Sequence, residues 1–307
     1  MATDRSREFA SIARMPLDES LYDLREDDIS FLKAHTGIDN DNELKEHVMK
    51  IQVDAYQVYP YRCIRYFWFA HTDISLQSAY AQLLKLGQDR PGAIFLEIPC
   101  AFGNDLRKAI YDGFPQQDCV AADLEQTYWQ LGHRLFKSTT ESFPVPFVPG
   151  DIFDVNYLAS APPFYVSPAS PAPALSNLTN LTPLQGHVSA IHAAMFFHLF
   201  DEEKQLILAQ RFASLLSPVP GSLIFGRHYS AYVKGARVGI PAGEGTPGVS
   251  RLYCHSPESW TALWNGGVFK EGTVKVEVEL KETQWEAYVN APPERKLYIM
   301  LWSVIKI

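Results

Sequence analysis

Apolar residues in DNELKEHVMKIQVDAYQVYP fall at Leu44, Val48, Ile51, Ala55 and Val58, alternating steps of four and three that lay one stripe along a helix. Pro60 ends it. A second stripe runs through Ile64, Phe67 and Trp68, and in SLQSAYAQLLKLG a third face gathers Leu76, Tyr80 and Leu83 before Gly87 offers a C-cap. Residues 1–90 therefore read as a helical cover. From Ala93 the period changes to strand 94–98, helix 105–111, strand 119–122, helix 125–136 and strand 146–148, an alternation that implies a parallel sheet wrapped by helices over residues 91–307. Residues 157–186 turn to Pro, Ser, Ala and Asn and read as an inserted surface loop.

The alternation then resumes. HVSAIHAAMFF reads as a strand, and DEEKQLILAQRFASLLSP as a helix with Asp201 as its cap, Glu202 and Glu203 at the positive end of its dipole, and Leu206, Ala209, Ala213 and Leu216 on one face. GSLIFGRH is the next strand. A glycine-rich loop follows with Gly235, Gly239, Gly243, Gly245 and Gly248, and then a helix over 257–264. TVKVEVEL alternates Val274, Val276, Val278 and Leu280, and KLYIMLWSVI is nearly continuous in apolar residues; the two are expected to pair antiparallel and end the sheet.

Composition narrows the chemistry. With 307 residues, 47% of them hydrophobic, the chain buries a large core, and its net charge of −8 with no basic run argues against a nucleic-acid partner. MATDRSREFASIARMP has no apolar core of signal-peptide type, and no run approaches the ~18 apolar residues of a membrane span. The reading is of a cytoplasmic chain with no membrane partner. Cys63, Cys100, Cys119 and Cys254 lie far apart without a CxxC pair, as reduced thiols do, and no His and acid cluster has ligand spacing, so no metal is expected.

The chemistry concentrates in FLEIPCAFGNDLRKAI. A strand climbs to Glu97, turns past Gly103 and enters a helix, which is the nucleotide-binding corner of a Rossmann-like sheet. The next strand ends at Asp123, close to the roughly 20-residue spacing expected of a ribose-binding carboxylate. The third runs into GDIFD and delivers Asp151 to the same edge. A dinucleotide pyrophosphate wants GxGxxG, but Pro99 and Ala101 stand at the first two glycine positions, and Asp105 in the first helical turn would repel phosphate. A ligand with ribose, adenine and a positive centre but no phosphate fits better, as S-adenosyl-L-methionine does.

IFLEIPCAFGNDLRKAIYDG, VAADLE, VPGDIFD, AIHAAMFFHLFDEEKQ and LLSPVPGSLIFGRHYS together resemble class I S-adenosylmethionine-dependent methyltransferases, and most of all the fungal secondary-metabolism group that includes the carboxyl methyltransferases of meroterpenoid pathways. YPYRCIRYFWFA and YCHSPESWTALW extend the likeness over nearly the whole chain; Pro99, Ala101 and the 157–186 insertion depart from it. The resemblance implies an α/β Rossmann-like sheet, mostly parallel with an antiparallel C-terminal pair, under an N-terminal helical lid. It places the loop of Glu97, Pro99, Cys100 and Gly103 against the methionine part of the cofactor, Asp123 with Leu124 at the ribose, Asp151 with Ile152 at the adenine, and His192 and Ala193 near the methyl group. His198 is a second catalytic candidate, against the alternative that it packs among aromatics. Tyr59, Arg65, Trp68, Arg227, His228 and Trp264, with Trp285 beside them, are candidates for the wall of a small-molecule acceptor pocket. The implied activity is O-methylation of a small secondary metabolite, with a carboxylate acceptor favoured over a phenol. An NAD-dependent reductase is disfavoured by the missing glycines and the lack of a Tyr-x-x-x-Lys pair, and a non-catalytic binding protein on the same fold is the remaining alternative. The sequence leaves the oligomeric state open.

Overall fold

The computed structural model describes residues 15–238, 251–283 and 296–307. Its helices are α1 (Glu26–Thr36), α2 (Asp41–Val58), α3 (Arg62–Arg65), α4 (Tyr80–Asp89), α5 (Asn104–Tyr111), α6 (Gln126–Leu135), α7 (Glu202–Leu215) and α8 (Pro257–Trp264). The strands are β1 (Ile94–Glu97), β2 (Cys119–Asp123), β3 (Phe147–Pro149), β4 (Val188–Ala194), β5 (Leu223–Ser230), β6 (Gly235–Val238), β7 (Arg251–Cys254), β8 (Val274–Glu282) and β9 (Tyr298–Lys306). Seven strands form one sheet in the order β3-β2-β1-β4-β5-β9-β8. The first five are parallel; β9 runs antiparallel to β5, and β8 pairs antiparallel with β9, the mostly parallel sheet with an antiparallel C-terminal pair that was expected. β6 and β7 make a separate antiparallel ribbon.

The order follows from burial. β1, β2 and β4 are buried on both faces, as parallel strands covered by helices must be, whereas β8 alternates at the sheet edge. One core lies between the sheet and α7 and α8, around Phe197, Phe212, Trp260, Trp264 and Trp302. Another lies on the opposite face under α4, α5 and α6. The N-terminal helices share a third with α6 and with Phe102 of the β1–α5 turn, so the cover packs against the corner where the strands end.

Three local expectations are corrected, and one helix that the sequence pattern did not announce, α1, is added. Gly87 lies inside α4 rather than capping it: an added Cβ would stand 2.7 Å from the Phe114 ring, so the glycine permits close packing. The buried face of α7 centres on Leu208 and Phe212, while Leu206 is 37% exposed. α1 shows no plain stripe because two of its four buried residues, Asp28 and Thr36, are polar. The 157–186 insertion is tied down: Leu181 and Leu184 enter the core, Arg211 Nη1 donates to the Leu158 carbonyl, and Gln185 Nε2 donates to the Ala159 carbonyl at 2.7 Å. Among the described residues no helix is long and apolar enough to cross a membrane.

Candidate active site

The three strand-end acids stand side by side because β3, β2 and β1 are parallel neighbours. Glu97 ends β1 at 4% exposure, and its Oε2 has no hydrogen-bond partner. Burial pushes its carboxyl well above the usual range, against the Leu106 N–H and with the Asp123 charge adding to the rise. Asp123 ends β2. Its Oδ2 accepts from the Ala101 N–H at 2.8 Å and its Oδ1 from the Glu125 N–H at 2.9 Å, and each oxygen keeps a lone pair for a further donor. Burial also raises the Asp123 carboxyl. Asp151, just past β3, is exposed and accepts from the Phe153 N–H at 3.0 Å; Ile152 beside it is buried, and Leu124 after β2 is half exposed.

The turn between β1 and α5 keeps its course without the usual glycines. Ile98 N–H donates to the His192 carbonyl and Cys100 N–H to the Ala122 carbonyl, so Pro99 and Cys100 remain laced between β4 and β2. Ala101 adopts φ +45°, the left-handed region, at a cost of about 1–2 kcal/mol that glycine avoids. Gly103 follows at φ +71°, and a Cβ there would meet the Trp129 ring at 2.7 Å. On α6, Gly132 lets the Phe102 carbonyl approach.

Beyond this turn the fold assembles a cluster that no spacing in the sequence announces. Ligand atoms of Glu97, Asp105 and His192 all lie within 4.8 Å of one another, brought together by the fold from positions without ligand spacing in the sequence. His192, on β4, is fully buried; its Nδ1 faces Glu97 Oε1 at 3.4 Å and its Nε2 faces Gln77 Nε2 at 2.9 Å. Burial lowers the imidazole to about 4. Asp105 accepts from the Ile74 N–H at 3.0 Å, and burial together with the Glu97 and Asp73 charges pushes it up to about 6, against a neighbouring His192. Gln77, Ile74 and Asp73 belong to one strap, residues 71–77, that crosses the strand ends. Asp73 pairs with Arg227 of β5 and, at 3.1 Å, with Arg25.

Comparison with known proteins decides what this corner belongs to. Residues 17–70 match the meroterpenoid methyltransferase N-terminal domain. Over 261 residues the chain is 31% identical to the asnovolin E/chermesin D methyltransferase nvfJ of Aspergillus novofumigatus, which covers 85% of this chain and 81% of that protein. The chain belongs to the fungal meroterpenoid methyltransferase family. Methyltransferase ausD of Penicillium brasilianum is 28% identical over 289 residues, 94% of this chain and 92% of the relative. Among solved structures, a Burkholderia thailandensis 1,6-didemethyltoxoflavin-N1-methyltransferase is similar at TM-score 0.45 and 13% identity, over 85% of this chain and 89% of that one.

Within this methyltransferase the remaining candidates separate into two groups. Arg227 lies near the His192 cluster, its side chain 26% exposed. Ala193 is buried in β4, next to Gly226. The Tyr59 ring lies tilted against Tyr61, at 4.1 Å between centroids, and Trp68 lies against Tyr66. The others are buried among packing contacts. Arg65 is 9% exposed, with its Nε donating to the Pro16 carbonyl at 3.0 Å. His228 points to the opposite face of β5 from Arg227 and sits against Trp260 at 4.5 Å, and Trp264 is fully buried against Trp302 and Phe269. His198 is buried in a short 3-10 helix against Tyr229, the packing alternative stated for it. Trp285 and Gly239, Gly243, Gly245 and Gly248 lie outside the described residues. Sequence reasoning missed Gln77 and Asp73 altogether. The acids and the unpartnered oxygen at the strand ends are an acceptor set suited to a ligand with hydroxyls and positive charge, as S-adenosylmethionine is, and unsuited to a pyrophosphate.

Proposed function

We propose that this S-adenosylmethionine-dependent methyltransferase delivers its methyl group to a carboxylate oxygen of a small terpenoid-derived acid. The observation that carries the reading is the state of the histidines. Burial lowers His192 to about 4 and His198 to about 3, and holds His228 well below its ordinary value. Such imidazoles are weak bases for a phenol, whose proton leaves near pKa ~10, and even Asp105 at about 6 is far below it. A carboxylic acid with pKa near ~4 is ionised at neutral pH and needs no base. The match of residues 17–70 to the meroterpenoid methyltransferase N-terminal domain supports a terpenoid-derived acceptor.

In this reading residues 91–307 form the catalytic domain and residues 1–90 its cover. Asp123 and Leu124 meet the ribose, Asp151 and Ile152 the adenine, and the turn from Glu97 to Gly103 the methionine part. S-adenosylmethionine supplies a methyl group already activated on sulfonium, so transfer is an in-line displacement in which the acceptor oxygen forms the new C–O bond as the C–S bond breaks. The protein contributes alignment and exclusion of water. Arg227 turns toward the acceptor carboxylate, Tyr59 and Trp68 wall the pocket, His192 and Ala193 line the strand end, and the 71–77 strap closes it. The test is the bond made. Terpenoid acids and phenols of matched skeleton are offered to the enzyme, and each product is treated with alkali. A methyl ester that alkali cleaves is expected; an alkali-stable ether made only from the phenol overturns the reading.

A further inference from the structure

On β5 the residues Arg227 and Tyr229 share one face and are partly exposed, while Phe225 beneath them is fully buried. The face therefore opens at the carboxyl end of the strand, where ligands bind in such sheets. Arg227 is fixed there by its backbone: it pairs with Ala194 of β4, and its carbonyl accepts from the Met195 N–H at 2.7 Å. Its guanidinium is only partly used. Asp73 of the strap takes Nη2, and Nε is buried with no partner. A buried donor without an acceptor is costly until a ligand supplies one. Asp73 is itself anchored from the cover. Its Oδ1 lies 3.1 Å from Arg25 Nη1, and Asp28 holds Arg25 at 2.6 and 2.9 Å. Asp28 also accepts from the N–H and the hydroxyl of Thr72, the residue before Asp73. Asp28, Arg25, Asp73 and Arg227 thus form a row of alternating charge that ends on a cation at the crevice.

We propose that Asp73 is a positioning residue for the acceptor: by fixing one arm of Arg227 it presents the unpartnered Nε–H to the acceptor carboxylate, which becomes the last member of the row. The inference rests on the carboxylate reading of the acceptor. An arginine at a strand end loses side-chain entropy when a ligand has to immobilise it, and an acid already anchored from the cover meets that cost before the ligand arrives. Asp73 divides its charge between Arg25 and Arg227, so the Arg227 guanidinium keeps positive charge for a second anion. A protonated phenol offers the row no charge, so the row favours acids as acceptors. The N-terminal cover is thereby part of the acceptor site through an ion pair, as well as a wall for it.

The test uses the full chain, with the terpenoid acid that wild type converts to a methyl ester as one probe and that ester as the other. Turnover of the acid, inhibition by the ester and the dissociation constant of S-adenosylhomocysteine are measured for wild type, Asp73→Asn, Asp73→Glu, Arg227→Gln and the double variant Asp73→Asn with Arg227→Gln. Asp73→Asn is expected to lower kcat/KM for the acid about tenfold or more, mainly through KM, and to leave S-adenosylhomocysteine within about twofold. Asp73→Glu should recover part of the loss. The uncharged ester should change by less than about threefold, whereas a merely structural role would weaken acid and ester alike. The double variant should lose little more than Arg227→Gln alone, because the two side chains act as one unit. An unchanged kcat/KM in folded Asp73→Asn, equal weakening of acid and ester, or additive losses overturns the positioning role. If Asp73→Asn fails to fold, Asp73→Glu, which keeps the charge but moves it, decides by the same contrast of acid with ester. Wild type that esterifies no terpenoid acid sinks the carboxylate reading and the positioning role together, whereas ester formation that the variants leave untouched sinks only the positioning role.

Discussion

Asp28→Asn tests whether a residue far from the strand ends holds the strap in place. Asp28 sits in the first turn of α1, fully buried, and its carboxylate takes Arg25 at 2.6 and 2.9 Å, the Thr72 N–H and hydroxyl at 2.8 Å each, and His71 Nδ1 at 3.0 Å. Burial alone would raise the carboxyl; the bonds from His71, Arg25 and Thr72 outweigh it and hold the group far below the usual range. Asparagine keeps one oxygen for Thr72 but turns an NH2 toward the Arg25 and His71 donors. Breaking a buried charged network costs ~3–5 kcal/mol, and the 36% exposure of the Arg25 side chain places this case near the lower end. For a domain of this size each kcal/mol moves Tm by ~2–4 °C, so a fall of roughly 6–12 °C is expected. Because the folded-state pKa is depressed, the stabilisation is fully present above the unfolded value of ~4 and is lost as pH falls toward the folded one, so the gap between wild type and variant stays flat from about pH 8 to 5 and closes below about 4. Thermal unfolding by circular dichroism reads the gap, and hydrogen exchange reads the strap, whose amides at residues 72–77 should exchange faster in the variant. A Tm within about 2 °C of wild type together with unchanged exchange would refute the reasoning.

The sheet was legible because burial wrote it in apolar runs: β1, β2 and β4 are covered on both faces and admit little else. Glu97 and Asp123 were legible for a related reason, since a polar residue at the end of such a run has to meet either solvent or a ligand. Where polar residues enter the core, the pattern misleads. On α7, Gln205 is buried to donate to the Phe200 and Tyr253 carbonyls and Arg211 to reach Leu158, so the apolar stripe read from sequence is rotated toward Leu206. Gly87 has the composition of a helix stop but serves packing on Phe114, a partner no local window contains. On β5 the alternation of faces separates Arg227 from His228, although both looked alike as polar residues at a strand end. The strap was illegible on stronger grounds. Gln77 meets His192 across 115 positions and Asp73 meets Arg227 across 154, and neither residue has a local role that would mark it.

Further outcomes follow from the same geometry. Asp123→Ala should weaken S-adenosylhomocysteine binding about tenfold or more while the chain stays folded, since hydrogen bonds to a charged acceptor are worth ~1.5–3 kcal/mol; an unchanged dissociation constant by calorimetry removes Asp123 from the ribose site. Gly87→Ala should lower Tm, because ~1–3 kcal/mol of overpacking against Phe114 outweighs a helix-propensity gain of ~1 kcal/mol; a rise in Tm would show that the ring yields. His192→Gln should reduce turnover of a carboxylate acceptor by less than about tenfold, whereas a loss of about a hundredfold or more would mean that His192 moves a proton. The last outcome concerns pH. Asp105 is raised to about 6 in the free chain, so the fold favours its protonated form and this group's destabilising effect grows as pH rises through that value. A cation beside it, as the ammonium of the cofactor's methionine part would be, favours the ionised form and pulls the carboxyl back down. S-adenosylhomocysteine affinity should therefore fall as pH drops through about 6, with proton release on binding near that midpoint. Calorimetry in two buffers of different ionisation enthalpy counts that proton. Asp105→Asn should reduce both the release and the slope, leaving the part that the raised Glu97 carboxyl contributes, and 5′-methylthioadenosine, which brings no ammonium, should show neither in wild type. An equal slope for the two ligands would place the titrating group away from the methionine part.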